Sequence, residues 1–480
     1  MELLFIISTF FIAAIIGLLT KRRRVIEYAA IIASAISLVG SFIIANKVAT
    51  EKIYNVSAVF SIDALGAIIL LIISIVSLTT AIYSVEYLRQ ETAKDIIRVN
   101  RPRQYFILLN LFMMAMFMAV SFNNPILAWI SIEATSLSTA FLISFYNKPS
   151  AMEAAWKYLT VNAVGLLIGF FGTMLYFTAF QPGSEAGLVT WQSLLANASH
   201  MNPIIAKIAF IFVLIGYGTK VGFVPMHTWK PDAYGKAPAP IGAMFSAALL
   251  PVAILIILKF RIITNSVVGV AFSQHLFLAF GLMSIAVPAF MMLILKDYKR
   301  MLAYSSIENA GVIALGFGFG GIAILASILH IIYHSLVKAS LFFLSGNYLL
   351  KYNSAKIENV KGSINVIPIT SVLFLAGFMA ITGAPPFGIL ITKILIFSAG
   401  IKTYPIISLI GLLLIVILFI GFFKHAVAMV FGKKPETMKR EKENIWLILP
   451  SLSLMVLVLL LSFYQPVFLQ TLINNAALQY

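Results

Sequence analysis

The sequence predicts an all-α membrane protein with about fourteen transmembrane helices. Of its 480 residues, 61% are hydrophobic and only 11% are charged, whereas a globular domain carries roughly 45–50% apolar and about 25% charged residues. So few charged side chains cannot cover the surface of a water-soluble protein of this size. The longest polar stretches, 83–104 and 432–444, are short enough to be loops or amphipathic surface helices. We therefore predict a single polytopic membrane domain over 1–480.

A helix needs about 20 apolar residues to cross the hydrocarbon core of a bilayer. Runs of this kind give fourteen candidate spans, numbered here in chain order: 3–20, 25–46, 61–84, 104–122, 124–145, 157–180, 203–227, 239–262, 270–295, 301–319, 321–350, 366–400, 405–431 and 445–470. The twelfth is long because it contains a break.

Basic residues are distributed unequally between the two sides of these spans. The chain has 34 Lys and Arg against 17 Asp and Glu, a net charge of +17, which in a soluble protein would suggest a nucleic-acid partner. Of the 34, 25 fall in odd-numbered connections, six fall on the even-numbered side and three lie inside spans. Because cytoplasmic loops are enriched in Lys and Arg, we expect both termini on the outer side. The excess charge then requires no nucleic acid.

The chain contains no cysteine. Disulfides, thiolate-ligated iron–sulfur clusters, Cys-ligated nickel or zinc and thiol nucleophiles are therefore excluded. We expect no cofactor or metal in this chain, so any redox chemistry linked to it must be located in partner subunits.

Two groups of five spans share an unusual feature. Spans 4–8 (104–262) and 9–13 (270–431) each contain one helix, the seventh and the twelfth, that is interrupted by Gly and Pro next to a lysine. Spans 1–3 (1–84) precede these groups and span 14 (445–470) follows them. The residues at the breaks are Gly222 and Pro225 beside Lys220, and Pro385 and Pro386 before Lys393.

Because five is an odd number, the second group enters the membrane from the opposite side, which predicts an inverted repeat. Paired helix breaks in such repeats indicate an ion or substrate path. The alternative is that the prolines only kink the helices for packing.

Ionisable residues inside the bilayer are costly, and so they are functional candidates by default. The candidates for a proton path are Glu133, Lys220, His330, His334, Lys338 and Lys393. His330, His334 and Lys338 are spaced i, i+4 and i+8, so they share one helix face. A pair formed by Glu133 and Lys220 that separates would release the lysine proton. Histidines that titrate near neutral pH could then pass it on.

Three further residues are secondary candidates. Glu308 lies near the inner end of span 10, where a structural or interfacial role is an equal alternative. Asp63 begins span 3, and a helix N-terminus favours an acidic residue there for structural reasons. His227 borders the first break, and with His200, His275 and His425 it is expected to be exposed near span ends or in loops.

Several long motifs resemble the antiporter-like proton-translocating subunits of respiratory complex I. The resemblance covers the chain from about residue 60 and is nearest to the hydrogenase-4 component F group of membrane-bound [NiFe]-hydrogenase and formate hydrogenlyase complexes. The motifs are Ser131–Thr135, Glu153–Tyr158, Lys220–Ala233, Asp297–Glu308 and His330–Gly346.

The resemblance implies a fourteen-helix fold with broken helices 7 and 12 and two inverted half-channels. It also implies an acid–base pair matching Glu133 and Lys220, a histidine region matching His330 and His334, and a proton-binding residue matching Lys393. Expected partners are other membrane subunits of a hydrogenase or complex I-like assembly, including antiporter-like neighbours. Fe–S clusters and a NiFe centre are expected in those partners, in a prokaryotic plasma membrane.

The sequence departs from this family in the eighth predicted span, which the family counts as helix 8. Many relatives carry a lysine in the middle of that helix, whereas residues 241–258 contain no ionisable group and Pro251 falls near its place. The link from Lys220 to His330 must then use water or another residue, or the input half-channel is impaired. The chain also ends soon after span 14, so we expect no long lateral C-terminal helix.

These features favour a non-catalytic subunit that translocates protons, or Na⁺ by exchange, within a redox-driven complex such as a membrane-bound [NiFe]-hydrogenase. One alternative is a subunit of a multi-subunit Na⁺/H⁺ antiporter without redox partners. The other is a scaffold that has lost translocation, for which the missing helix-8 lysine is the main support.

Overall fold

The computed structural model of the chain describes residues 2–179, 189–436 and 438–480. Within these residues the fold is almost entirely helical, and twelve helices are long and apolar enough to cross a membrane. This confirms the predicted all-α, multi-pass membrane class. The strands β1 (Tyr54–Ser57) and β2 (Phe60–Ile62) form a short antiparallel hairpin.

The helices of the first half are α1 (Glu2–Leu19), α2 (Arg23–Glu51), α3 (Ala64–Ala93), α4 (Arg101–Ser121), α5 (Pro125–Ile143), α6 (Pro149–Tyr176), α7 (Trp191–Ala196), α8 (Pro203–Val221), α9 (Trp229–Lys236), α10 (Ala239–Met244) and α11 (Leu250–Val268). Those of the second half are α12 (Val270–Ile294), α13 (Tyr298–Phe319), α14 (Ile322–Tyr352), α15 (Pro368–Thr382), α16 (Gly388–Thr403), α17 (Pro405–Phe431), α18 (Ile445–Phe463) and α19 (Val467–Gln479). A π-helical turn, Phe245–Leu249, joins α10 to α11, and 3₁₀ turns occupy Phe177–Ala179, Ala198–His200, Ile357–Asn359 and Ser363–Asn365.

Several boundaries differ from the prediction. The tenth and twelfth predicted spans correspond to α13 and to the pair α15 and α16, which are not among the twelve long apolar helices. The sixth begins earlier, at Pro149, so Lys157 lies in α6 rather than in a connection; its predicted end at residue 180 lies outside the described residues. The fourteenth stops at Phe463 and is followed by α19, because Pro466 cannot continue a helix.

Asparagine and aspartate side chains fix the beginnings of several helices. Asn124 accepts hydrogen bonds from two backbone N–H groups at the start of α5, and Asp297 does the same for α13. Asn202 and Asn444 cap α8 and α18. A side-chain acceptor at this position satisfies an N–H group that has no partner within the helix.

Three helices form the centre of the bundle. Residues 239–261 of the segment that runs from α10 through the π turn into α11 are all buried, as are 301–319 of α13 and 326–348 of α14. α14 packs against both of the other two helices. Exposed apolar side chains lie on peripheral helices such as α17, so the polar candidates on α13 and α14 lie inside the bundle and away from its surface.

Both helix breaks begin at a glycine. α8 ends at Gly222 with φ of 83°, and α15 ends at Gly383 with φ of 89°. Left-handed conformations of this kind are readily adopted only by glycine, which terminates many helices in this way. A proline lies three residues further on in each case, Pro225 and Pro386, and the Val224–Pro225 and Pro385–Pro386 peptide bonds are cis.

Candidate functional site

Lys220 lies in the last turn of α8, just before the first break, and its side chain is buried. Its ammonium group donates hydrogen bonds to Ser136 Oγ at 2.7 Å and to the hydroxyl of Tyr158 at 2.8 Å. The Tyr158 ring centroid lies 5.0 Å from Nζ, a distance at which a cation is attracted to an aromatic face. Two hydroxyl groups and an aromatic ring therefore hold this lysine.

Glu133, its predicted partner, is partly exposed on α5, one helical turn from Ser136. Its Oε2 lies 3.5 Å from Ser136 Oγ. Glu133 and Lys220 therefore approach the same hydroxyl from two sides without forming a direct ion pair. Ser136 is a bridging residue that the sequence did not indicate.

Close packing of α6 against α8 positions this cluster. A Cβ atom on Gly216 of α8 would lie 2.3 Å from the Cα of Gly169 on α6, so the two backbones touch at a point where only glycines fit. Small residues permit such close approach between membrane helices. The contact holds Lys220 on α8 next to Tyr158, which α6 carries.

The segment after the first break folds back onto the end of α8. Trp229 Nε1 donates to the Thr219 carbonyl at 2.9 Å, and Lys230 Nζ donates to the Val221 carbonyl at 2.7 Å. Lys230 is 1% exposed, although the charge count placed it in a cytoplasmic connection. Its position immediately after the Gly and Pro residues of the break is the signal that could have identified it.

At the second break, Lys393 of α16 forms a direct ion pair with Glu308 of α13, with 3.0 Å between Nζ and Oε1. Its ammonium group also lies 3.5 Å from the Thr382 carbonyl, the last residue of α15. Glu308 is 1% exposed. The structure thus places Glu308, a secondary candidate, in contact with Lys393, one of the main candidates for the proton path.

Asn309 joins the second cluster into one hydrogen-bonded network. Its side-chain amide donates to Glu308 Oε2 at 2.5 Å and to the Ser305 carbonyl at 2.7 Å. Its side-chain oxygen lies 3.0 Å from His330 Nε2, while His330 Nδ1 lies 2.8 Å from Thr392 Oγ1 on α16. Asn309 was not predicted, although it directly follows Glu308 in the sequence.

Lys338 and His334, on the same face of α14 as His330, are fully buried. Lys338 donates to the Leu302 carbonyl at 2.6 Å and to Ser305 Oγ at 2.5 Å, and Asn309 bonds to the backbone carbonyl of the same serine. Neither ring nitrogen of His334 has a hydrogen-bond partner in the described part of the chain. Buried imidazole nitrogens normally find a partner, so His334 is suited to bind water.

The segment from α10 to α11 lies between the two clusters along the chain. There the π turn inserts an extra residue between α10 and α11, and Ser246 in this turn shares a hydrogen bond of 2.7 Å with Ser306 of α13. Pro251 is buried in α11. Ser246 is thus a polar contact in a region that carries no ionisable side chain.

Asp63 and Lys259 form a second buried ion pair, with 3.0 Å between Nζ and Oδ2. Asp63 also caps α3 through the N–H of Gly66 at 2.7 Å, as its structural interpretation predicts. His227 is partly exposed and has no ion-pair partner among the described residues. His425, expected to be exposed, is 8% exposed and contacts the Met292 carbonyl at 3.0 Å; that prediction is wrong because α17 packs its polar end against α12.

The described residues contain no group of three His, Asp or Glu side chains that could hold a metal ion. Near the two helix breaks the buried ionisable groups are instead lysines, histidines and Glu308, linked by hydroxyl and amide groups. Such an arrangement can bind, hold and exchange protons.

Comparisons with known proteins match this architecture. Residues 123–420 match the family described as NADH:quinone oxidoreductase/Mrp antiporter, TM. Residues 49–95 match the N-terminal region of chain 5 of NADH-ubiquinone oxidoreductase (complex I). Together the two matches cover most of the helical bundle.

Among curated relatives, the chain is 34% identical to a hydrogenase-4 component F homolog of Methylacidiphilum infernorum (isolate V4), over 73% of this chain and 74% of the relative. It is 28% identical to a putative antiporter subunit mnhA2 of Staphylococcus aureus (strain MSSA476), over 96% of this chain but only 61% of that longer relative. A chain of the membrane-bound sulfane sulfur reductase (MBS), an archaeal respiratory membrane complex, has the same fold, with a TM-score of 0.87 and 22% identity over 100% of this chain and 96% of that one.

Proposed function

Because the chain belongs to the NADH:quinone oxidoreductase/Mrp antiporter membrane family, we propose that it is the ion-translocating membrane subunit of a redox-driven respiratory complex. The single observation that carries this proposal is the network around Asn309, which connects His330, Glu308 and Lys393 inside the bundle and adjoins Lys338 at Ser305. The subunit moves protons, or exchanges Na⁺ for protons, and catalyses no covalent chemistry.

The energetic cost of the buried charges supports this proposal over a packing role. A Lys or Asp at the centre of a membrane helix costs roughly 2.5–3.5 kcal/mol on insertion scales. Apolar residues of similar size would pack these positions at no such cost. Lys220, Lys338 and Lys393 are nevertheless all buried, which is expected if their protons are exchanged during turnover.

The path begins at Glu133, the most accessible of the candidates. It passes through Ser136 to Lys220, and it continues in the second cluster from Lys338 and His334 to His330. It ends at the ion pair of Lys393 and Glu308. His227 and Asp63 lie outside this route.

An inverted repeat of spans 4–8 and 9–13 explains why the route contains two similar clusters. Each half has a helix that ends at a left-handed glycine, and each has a lysine next to that break. Each half also has a glutamate on its second span, Glu133 on α5 and Glu308 on α13. The two halves would then supply an entry and an exit half-channel.

The distribution of Lys and Arg supports an orientation with both termini outside and the odd connections in the cytoplasm of a prokaryote. The electron-transferring centres, Fe–S clusters and a NiFe site, belong to partner subunits, since this chain has no cysteine to ligate them. The similarity to a hydrogenase-4 component F homolog supports partners of the hydrogenase type, including antiporter-like neighbours.

A second candidate is a subunit of a Na⁺/H⁺ antiporter complex without redox partners. The similarity to a putative antiporter subunit over 96% of this chain favours it. The same buried lysines and glutamates would serve such exchange, so the partners decide between the two functions.

Affinity purification of the tagged protein in mild detergent, followed by mass spectrometry, tests the choice of complex. A [NiFe]-hydrogenase-like large subunit and iron–sulfur proteins among the partners support the redox-driven function. Only small membrane partners would establish the antiporter complex instead.

Ion uptake by inverted membrane vesicles tests translocation itself. In vesicles driven by the complex's own electron donor, Lys220→Ala should abolish uptake while the complex still assembles. Lys21→Ala, the same change at an exposed lysine, is the control. Normal uptake with Lys220→Ala would show that the path through this subunit is wrong.

A further inference from the structure

We propose that Lys230 is an additional proton-carrying residue. It links Lys220 to the network around Asn309 by a route beside the apolar segment from α10 to α11. This inference rests on the proposed function and adds one residue to the same path. The segment from α10 to α11 has no ionisable side chain over 241–258 and does not provide this link. Lys230 supplies it instead.

Lys230 occupies the same place in the first break as Lys393 in the second. Each lysine follows the break, reaches back and directs its ammonium group at the carbonyl of the residue before the left-handed glycine. Lys230 donates to the Val221 carbonyl at 2.7 Å, and Lys393 lies 3.5 Å from the Thr382 carbonyl. Lys220 precedes its break and has no such counterpart.

The left-handed glycines make room for both side chains. A Cβ atom on Gly222 would lie 2.7 Å from Cδ of Lys230, and one on Gly383 would lie 3.4 Å from Cδ of Lys393. Each lysine therefore passes directly over the glycine that ends the preceding helix. The equivalence of the two lysines is thus a matter of backbone geometry as well as of residue type.

The two lysines differ in their counter-ions. Lys393 is paired with Glu308, whereas Lys230 has no carboxylate partner among the described residues. A buried ammonium group without a counter-ion holds its proton weakly. In α9, between the membrane spans, burial lowers the pKa of Lys230 to about 7, so this group can both accept and release a proton under cellular conditions.

Lys230 is also placed between the two clusters. Its ammonium group is bonded to the carbonyl of Val221, the residue next to Lys220. On its other side its ammonium group lies 5.5 Å from the ring centroid of Tyr234, and the Tyr234 ring packs against Phe342 with 5.5 Å between centroids. Nζ of Lys338 lies 5.8 Å from the centroid of the same Phe342 ring.

The proposed step is a proton transfer from Lys230 to His334. One N–H bond of the ammonium group breaks, and a new N–H bond forms at a ring nitrogen of His334 by way of intervening water. Lys230 becomes a neutral amine and His334 an imidazolium. His334 has a ring nitrogen lone pair free for this proton, because neither of its ring nitrogens is bonded to protein in the described part of the chain. Lys220 then donates a proton to the neutral amine of Lys230, so that an N–H bond breaks at Lys220 and one forms at Lys230.

A purely structural role for Lys230 would be to cap the end of α8, where cations and N–H donors satisfy free carbonyl groups. Arginine separates the two roles. An arginine at this position still offers N–H donors to the Val221 carbonyl, but its guanidinium does not release a proton. Lys230→Arg therefore keeps the cap and removes the proton transfer.

The test measures ion uptake by inverted vesicles that contain the assembled complex, alongside its electron-transfer activity and its amount on native gels. Lys230→Arg should assemble and should lose uptake by roughly a hundredfold, the lower end of the effect of removing a positioned proton-transfer group. Lys299→Arg is the matched control, because Lys299 is also 1% exposed and donates to a backbone carbonyl, that of Ala237 at 2.5 Å.

Uptake with Lys230→Arg that stays above half of normal, or that falls no further than with Lys299→Arg, overturns the inference. Lys220→Ala is measured in parallel to keep the two proposals apart. If Lys220→Ala abolishes uptake and Lys230→Arg does not, only the role of Lys230 is wrong. If neither affects uptake, the proposed function itself is wrong.

Discussion

Lys393 contacts Glu308 directly at 3.0 Å, whereas Lys220 reaches Glu133 only through the hydroxyl of Ser136. The same two residue types thus form a closed pair near the second break and an open pair near the first. A closed pair stabilises the charged lysine, and an open one favours release of its proton. The two halves of the chain therefore differ in how a buried lysine near the break is paired with a glutamate.

Glu308→Gln should destabilise the protein strongly. Removing one partner of a buried ion pair costs about 3–5 kcal/mol, because the other charge is left without compensation. We expect a lower melting temperature of the detergent-purified complex and loss of ion uptake. The double variant Glu308→Gln with Lys393→Met should recover most of the melting temperature but none of the uptake. A double variant no more stable than Glu308→Gln alone would show that the pair is not the stabilising contact.

Ser136→Ala should slow ion uptake without preventing assembly. Lys220 keeps its hydrogen bond to Tyr158, but the bridge to Glu133 is lost. Since a hydrogen bond to a charged group contributes about 1.5–3 kcal/mol, uptake should fall by roughly tenfold. Ser138→Ala is the control, because the Ser138 hydroxyl bonds only to backbone carbonyls of α5. Equal uptake in the two variants would remove Ser136 from the path.

His334→Leu and His330→Leu should separate function from stability. His334 makes no hydrogen bond to the described part of the chain, so its replacement should lower uptake with little change in melting temperature. His330 bonds to Thr392 and Asn309, and leaving such buried partners unsatisfied costs about 1–3 kcal/mol each. Ion uptake and melting temperature should therefore both fall with His330→Leu. The prediction fails if His334→Leu is as destabilising as His330→Leu.

Lys259→Met should affect stability alone. It leaves Asp63 buried without its ion pair, so we expect a lower melting temperature of the complex. Uptake per assembled complex, measured in the same vesicles, should stay unchanged because neither residue lies on the proposed route. A loss of uptake in the correctly assembled variant would instead place Asp63 on an ion path.

The class of fold follows from the sequence because hydropathy and charge distribution are local properties of each span. Lys220 and Lys393 were identifiable for a similar reason, since each lies beside Gly and Pro in an otherwise apolar run. Contacts between spans are different. Nothing in the spacing of Glu308 and Lys393 shows that α13 lies against α16, and so the sequence predicted both residues but not their ion pair.

Lys230 was missed because a charge count treats every lysine outside an apolar run as part of a loop. Its neighbours Trp229, Pro231 and Asp232 are typical of a connection, and only the fold of α9 against the end of α8 buries it. Ser136 and Asn309 were missed because neutral polar residues are common in membrane helices. Their importance depends on which charged groups the fold brings to them.

The segment from α10 to α11 is buried along 239–261, yet it is as apolar as the helices at the periphery. Its final surroundings do not require such a composition, as α13 and α14, equally buried, show with their lysine, glutamate and histidines. Before the bundle closes, however, a newly made span must partition into the bilayer by itself, and its side chains are then surrounded by lipid tails. The hydrophobicity of this segment meets that requirement of biogenesis, and on the proposed route the absence of ionisable side chains over 241–258 directs protons around it.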